Sequence, residues 1–193
     1  MPAQWYLFSL DTPPGRALQC IVDPFAYRDR IEQPKLLIFG TNDRYWPIDA
    51  CQNYWDELQG DKYLLYVPNQ GHGIEDIPRV VGSLNALHQS LRGGEPLPKL
   101  SWDFETREND VVLDVEASGS VDTVRGWIAR SSNRDFRDST WTQTAMQVGR
   151  DGTWSLQVPL PDSGAVACYA EVVTEGDQLP GFFSTNVRVF EAE

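Results

Sequence analysis

The sequence has few basic residues, no long apolar run and little cysteine or histidine. Its 193 residues carry 16 Lys and Arg against 28 Asp and Glu, a formal net charge of −12. Such an acidic surface does not suit nucleic acid or anionic lipid, because both are bound through clustered Lys and Arg. The apolar runs are only a few residues long, as in Leu36-Leu37-Ile38-Phe39, and a membrane span needs roughly 20 residues. The start, MPAQWYLFSL, has no basic residue and no small-residue cleavage site, so no signal peptide is predicted.

Cysteine and histidine are too scarce for a disulfide framework or a multi-histidine metal site. The three cysteines are Cys20, Cys51 and Cys168, and the two histidines are His72 and His88. An odd number of widely spaced cysteines favours free thiols in a reducing compartment, and a zinc centre needs a denser cluster of ligands. The sequence therefore predicts no metal and no cofactor.

The chain changes character near residue 93. The junction Gly93-Gly94-Glu95-Pro96-Leu97-Pro98 has the composition of a linker. It divides the sequence into a predicted first domain over residues 1–92, a linker over 93–98 and a second domain over 99–193.

The first part has an α/β pattern. Lys35–Phe39 and Tyr63–Val67 are continuous apolar runs, typical of strands covered on both faces in a parallel sheet. Asp49 is placed to cap a helix from Ala50 to about Leu58. Residues 77–91 carry apolar side chains at spacings of three and four, which predicts a second helix. The predicted order of strand, helix, strand and helix implies right-handed crossovers between parallel strands.

The second part has the pattern of short antiparallel strands. Apolar and polar residues alternate over 111–116, 154–158 and 183–189, and further strands are predicted near 101–104, 122–129, 141–148 and 165–173. About seven such strands in 95 residues predict an immunoglobulin-like or fibronectin-like β-sandwich.

An acid and a histidine follow the two predicted parallel strands. Asp43 lies in Gly40-Thr41-Asn42-Asp43, and His72 lies in Gly71-His72-Gly73 after the second strand. In open α/β sheets the carboxyl ends of the strands form the ligand-binding edge, so the two loops are expected to face each other. A carboxylate there would orient the imidazole and stabilise its charged form. The histidine would then be a general base for a hydroxyl nucleophile.

The nucleophile of such a triad is missing from the sequence. An acid followed by a histidine is the order at the end of a Ser…Asp…His hydrolase, whose serine lies earlier on a G-x-S-x-G turn. No G-x-S-x-G occurs, and Ser9 is the one serine before the first strand.

Other interpretations of these residues stay open. Asp43 also suits a plain turn, because Asp and Asn favour such positions. Asp49 is the second-choice acid, although a helix cap already accounts for it. Tyr45 and Trp46 follow Asp43 and are either packing residues or the rim of a substrate cleft.

Several motifs together resemble the PhoPQ-activated pathogenicity-related family. They are Asp23-Pro24-Phe25-Ala26-Tyr27-Arg28-Asp29-Arg30, Pro34-Lys35-Leu36, Gly40-Thr41-Asn42-Asp43, Lys62 to Asn69, Trp127-Ile128-Ala129, Arg134-Asp135-Phe136-Arg137 and Trp141. Prolyl-peptidase-like hydrolases also place Asp and His late, but the Arg-Asp-Phe-Arg group favours the first family.

The resemblance implies a fold and an activity. It implies an α/β-hydrolase fold followed by a β-sandwich, with Asp43 and His72 as the acid and the histidine, in a family of bacterial and some eukaryotic proteins that are often exported. Arg44-Tyr45-Trp46 depart from the acidic residue and two phenylalanines usual after the aspartate.

The sequence therefore predicts the carboxyl-terminal part of such a hydrolase-like protein, inactive alone. The full-length form would be an esterase or peptidase, and the missing half, or a second copy, would join through an exposed sheet edge. The alternative is a non-catalytic binding module built on the β-sandwich.

Overall fold

A computed structural model describes residues 11–176 and 178–192. Two α-helices and eleven strands follow one another in these ranges, with short 3-10 segments between some of them. The helices are α1 (Pro13–Val22) and α2 (Ile77–Leu91). The strands are β1 (Lys35–Gly40), β2 (Lys62–Val67), β3 (Lys99–Arg107), β4 (Asp110–Ser118), β5 (Thr123–Ser131), β6 (Thr142–Ala145), β7 (Gln147–Val148), β8 (Trp154–Pro159), β9 (Ala165–Thr174), β10 (Gly181–Ser184) and β11 (Arg188–Glu191).

The chain divides into two compact units. One contains the described residues up to Lys35 together with Tyr54–Lys62. In this unit Thr12 caps α1 by accepting a hydrogen bond from Gly15 N, and Arg28 forms an ion pair with Glu57. The other unit contains Leu36–Asn53 and the described residues from Tyr63 onward.

Two antiparallel sheets enclose the main core of the second unit. One has the order β10-β9-β5-β6, with β11 also pairing with β9, and the other has the order β3-β4-β8-β7. Period-2 alternation turns one apolar face of each strand inward. Leu113 and Leu156 come from one sheet, and Val124, Cys168 and Val172 from the other, and all are buried in one cluster.

The central strand of the five-stranded sheet, β9, is buried on its other face as well. Every residue of β9 is buried. Tyr169, which points away from the main core, contacts the ring of Tyr66 in β2 at a centroid distance of 5.5 Å. Beside it, the Glu171 carboxylate is fully buried and forms ion pairs with Arg79 of α2 and with Arg125 of β5, the latter with an Nε–Oε1 distance of 2.7 Å. The segments on either side of residues 93–98 thus share a buried polar cluster.

The predicted fold class, part of an α/β-hydrolase followed by an immunoglobulin-like sandwich, is wrong. The described chain is mostly β-sheet, its two larger sheets are antiparallel, and no α/β-hydrolase fold is evident. β1 and β2 form a separate two-stranded sheet, and α2 packs against β10 instead of crossing over between parallel strands. The continuous apolar runs indicated burial correctly at β2, but they do not specify which neighbours cover a strand.

The helix predicted over Ala50–Leu58 is also absent. Two short 3-10 segments, Ala50–Asn53 and Trp55–Glu57, occupy this region. Asn, Tyr and Trp in the middle of the segment are weak helix formers. The Asp49 carboxylate, expected at the cap, forms an ion pair with Arg134 instead.

The helix predicted over residues 77–91 is confirmed as α2, with Asp76 accepting a hydrogen bond from Arg79 N at its start. The division into domains at residues 93–98 stays a prediction about independent folding. Among the described residues, no helix is long and apolar enough to cross a membrane.

Candidate functional site

Two loops that follow β1 and β2 are held side by side by backbone hydrogen bonds. Thr41 N donates to Val67 O at 3.1 Å, and Asn42 N donates to Gln70 O at 2.8 Å. Lys35 N donates to Asp61 O at the start of the same strands, and these two residues are separated in sequence by as many positions as Thr41 and Val67. An equal separation at both ends is the register of parallel strands. The loops over residues 41–49 and 68–76 therefore leave the same end of the strand pair.

The structure brings Asp43 and His72 together at this end. His72 Nδ1 lies 2.8 Å from Asp43 Oδ2. The other carboxylate oxygen, Oδ1, accepts hydrogen bonds from Tyr45 N at 2.7 Å and from Trp46 N at 3.4 Å. The Asp43 side chain is 11 % exposed and that of His72 is 58 % exposed. The acid is thus fixed from both sides while the ring is open to solvent.

Hydrogen bonding keeps the acid ionised. Partial burial raises the pKa of the Asp43 carboxyl, but hydrogen bonds from Tyr45 N–H, His72 and Trp46 N–H outweigh burial and hold this pKa below its usual value. An ionised carboxylate only accepts hydrogen bonds. In neutral His72 the proton therefore resides on Nδ1, and Nε2, on the far side of the ring, carries the lone pair.

Two asparagines connect these loops to the segment between β5 and β6. Asn42 Nδ2 donates to Ser139 O at 2.7 Å. Asn69 accepts from Trp141 N at 2.7 Å through Oδ1 and donates to Trp141 O at 3.0 Å through Nδ2. Asn69 has a φ of 59°, in the left-handed region that asparagine tolerates better than most residues.

The sequence analysis missed Asn42 and Asn69, whose side chains hold these loops against the segment between β5 and β6. Both lie in turn-forming stretches, which indicated a loop but not the distant backbone groups that each side chain binds.

The predicted rim residues line an open groove beside the acid. Tyr45 is 74 % exposed and Trp46 is 64 % exposed. The Tyr45 ring meets the His72 ring edge-on, with centroids 4.8 Å apart. The groove, of about 570 Å³, is lined by residues 41–49, except Asn42, and by residues 133–137. Such a volume fits a small organic ligand.

Asp49, the second-choice acid, takes part in a separate ion-pair network. Its carboxylate is bound by Arg134, whose Nη1 also lies 2.9 Å from Glu191 Oε2. Both acids raise the pKa of the Arg134 guanidinium, and these pairs outweigh the opposing effect of its partial burial. The structure brings Asp43, not Asp49, to a histidine. Within residues 11–176 and 178–192, no group of three or more His, Cys, Asp or Glu side chains could hold a metal ion.

Comparison with known proteins agrees with the motifs. The family model described as PhoPQ-activated pathogenicity-related protein matches residues 7–137, which include Asp43, His72 and the groove. Autocrine proliferation repressor protein A of Dictyostelium discoideum is 29 % identical over 189 residues, covering 84 % of this chain. The chain spans 37 % of the length of that relative. No solved structure matches the chain. Since the family model covers more than half of the sequence, the chain belongs to the PhoPQ-activated pathogenicity-related family.

Proposed function

We propose that Asp43 and His72 are the acid and the general base of a hydrolytic centre that cleaves esters or peptides. The observation that supports this role is the 2.8 Å contact between His72 Nδ1 and Asp43 Oδ2, with the imidazole more than half exposed. An acid that fixes one ring nitrogen and leaves the other accessible is the arrangement of a catalytic acid–histidine pair.

The nucleophile in this proposal is a serine hydroxyl outside these 193 residues. As the hydroxyl oxygen attacks the substrate carbonyl, Nε2 of His72 accepts its proton, and Asp43 stabilises the imidazolium that forms. The proton then passes to the leaving group, and water repeats the cycle on the acyl intermediate. Without that hydroxyl, the 193 residues alone form no acyl-enzyme.

The nucleophile-bearing segment is expected to join at β1. In the part of the chain that the structure describes, β1 pairs on one side with β2. Residues 35–39 of β1 are only partly buried. A strand edge of this kind recruits another strand.

The test compares the chain with a longer form. A fluorophosphonate probe is expected to label no serine in the 193 residues. The DNA upstream of codon 1 is read for an in-frame G-x-S-x-G, and the extended protein is assayed with p-nitrophenyl esters. We expect His72→Gln to lower kcat/KM by about 10²–10⁴-fold, with His88→Gln as the matched control. Equal activity of the two variants, or an upstream sequence without the motif, would overturn the proposal.

A second candidate function is a non-catalytic module that binds a glycan or a protein partner. The groove favours it, because Tyr45 and Trp46 are both highly exposed and large exposed aromatics mark binding surfaces. Arg134, Asp135 and Arg137, on the segment between β5 and β6, form its opposite wall.

Substitution of Trp46 separates the two functions. If the chain is a binding module, Trp46→Ala abolishes retention on a glycan array or by a protein ligand, and His72→Gln leaves it intact. Labelling of the extended protein by the fluorophosphonate probe, with labelling lost in His72→Gln, would contradict this candidate, because labelling needs an activated serine.

A further inference from the structure

The face of α2 that packs on the protein is built from small residues. Gly82 and Ser83 are its buried positions. A Cβ at Gly82 would overlap the carbonyl oxygen of Pro180. Phe182 N donates to Ser83 Oγ at 2.9 Å. The helix is therefore held against Pro180 and β10 by close backbone approach, and most of its large apolar side chains are left exposed.

That other face carries an exposed apolar row. Ile77, Val81, Leu84 and Leu91 are between 45 and 57 % exposed. Together with the exposed His88, these residues are separated along the helix by four, three, four and three positions. This is the spacing of the a and d positions through which one helix packs along another. We call these four apolar residues the α2 stripe.

The two ends of the helix carry opposite charges. Glu75 and Asp76 precede the first turn, and Arg92 follows the last one. Asp76 already forms an ion pair with Arg79. Glu75 is therefore the acid at this end that can contact a second helix. In an antiparallel pair of identical helices, Glu75 of each copy lies beside Arg92 of the other. A parallel pair would place like charges together.

We propose that the α2 stripe binds the α2 stripe of a second copy of this chain in an antiparallel, two-fold symmetric pair. The same patch on both copies forms such an interface, and the charges at the ends are complementary only in the antiparallel orientation. The contact between the two stripes, which we call the seam, contains only two short repeats of the pattern. So short an interface binds weakly, and the dimer therefore exchanges readily with the monomer. This surface is distinct from the edge of β1 and does not depend on any activity of the Asp43–His72 pair.

Sedimentation measurements of the 193-residue chain test the dimer. Over roughly 1–300 µM, a range suited to a weak pair, the wild type is expected to shift from monomer to dimer. Val81→Glu places two like charges in the seam and is expected to keep the chain monomeric throughout. Gln89→Glu adds the same charge on a neighbouring exposed position and is expected to dimerise like the wild type. Circular dichroism verifies that both variants are folded.

A cross-linking experiment tests the orientation. Leu84 is at the middle of the stripe, so the two-fold axis passes near it. In a Cys20→Ser background, Leu84→Cys is expected to form a disulfide with its own counterpart under an added oxidant, whereas Ile77→Cys is not. Cross-linking of both would indicate a parallel pair and overturn the proposal. A wild type that remains monomeric, or a Val81→Glu variant that dimerises like Gln89→Glu, would also overturn it, the latter indicating pairing through β1.

Discussion

Replacement of Glu171 by glutamine is expected to lower the free energy of unfolding by about 3–5 kcal/mol, the usual effect of removing one partner from a buried ion pair. The Glu171 side chain has no exposed area, and those of Arg79 and Arg125 are 12 % and 22 % exposed. Burial raises the pKa of the Glu171 carboxyl, and the two arginines offset this only in part. Glutamine would remove the carboxylate that the two guanidinium groups share, in a site with little access to water, and Arg79 would keep only its ion pair with the partly exposed Asp76. Urea denaturation at neutral pH, followed by tryptophan fluorescence, measures the loss.

The matched control is Glu105→Gln, which removes one partner from the exposed pair of Glu105 and Arg107 in β3. An exposed pair contributes about 0–1 kcal/mol, so this variant should unfold almost like the wild type. A triple replacement of Arg79, Arg125 and Glu171 by apolar residues should recover most of the stability that Glu171→Gln loses. Similar losses in Glu171→Gln and Glu105→Gln would contradict the interpretation that stranded cations cause the effect.

Replacement of Gly40 by alanine is expected to separate Asp43 from His72. A Cβ at residue 40 would overlap the backbone oxygens of Gln70 and Gly71, so the His72 loop must move outward. Overpacking of this kind costs about 1–3 kcal/mol of stability. The change also removes the hydrogen bond that fixes the proton on His72 Nδ1. Nitrogen-15 spectra of labelled histidine should change from a single Nδ1–H tautomer to a mixture of both.

Gly73→Ala provides the control on the other side of the same histidine. No atom lies within 4 Å of a Cβ placed at residue 73, so the pair should keep its geometry and the spectrum its single tautomer. His88 supplies an internal reference signal in both variants. An unchanged His72 tautomer in Gly40→Ala would show that the loop can absorb the extra methyl group.

Local patterns predicted what depends on neighbours in sequence. The period of α2, the apolar runs of β1 and β2 and the turn residues around Asp43 and His72 are of this kind. What the sequence could not show depends on distant partners. Glu171 looks like one more acid in a chain of net charge −12, and only the fold places it between Arg79 and Arg125. The apolar residues of α2 predicted the helix, but not that the fold buries Gly82 and Ser83 and leaves most of the apolar residues exposed.

The central position of β9 has a consequence for the order in which the chain can fold. β9 pairs with β5, β10 and β11, and all of its residues are buried. Residues 36–164 leave the ribosome before β9 does. Until β9 has been synthesised, the apolar face of β5 and the ring of Tyr66 lack the strand that they pack against. Contacts between segments so distant in sequence form slowly. Incomplete sheets with open edges are prone to aggregate during that interval. The core of the second unit therefore forms late in synthesis. The yield of folded protein depends on whether β4, β5 and β8 avoid aggregation until β9 has been synthesised.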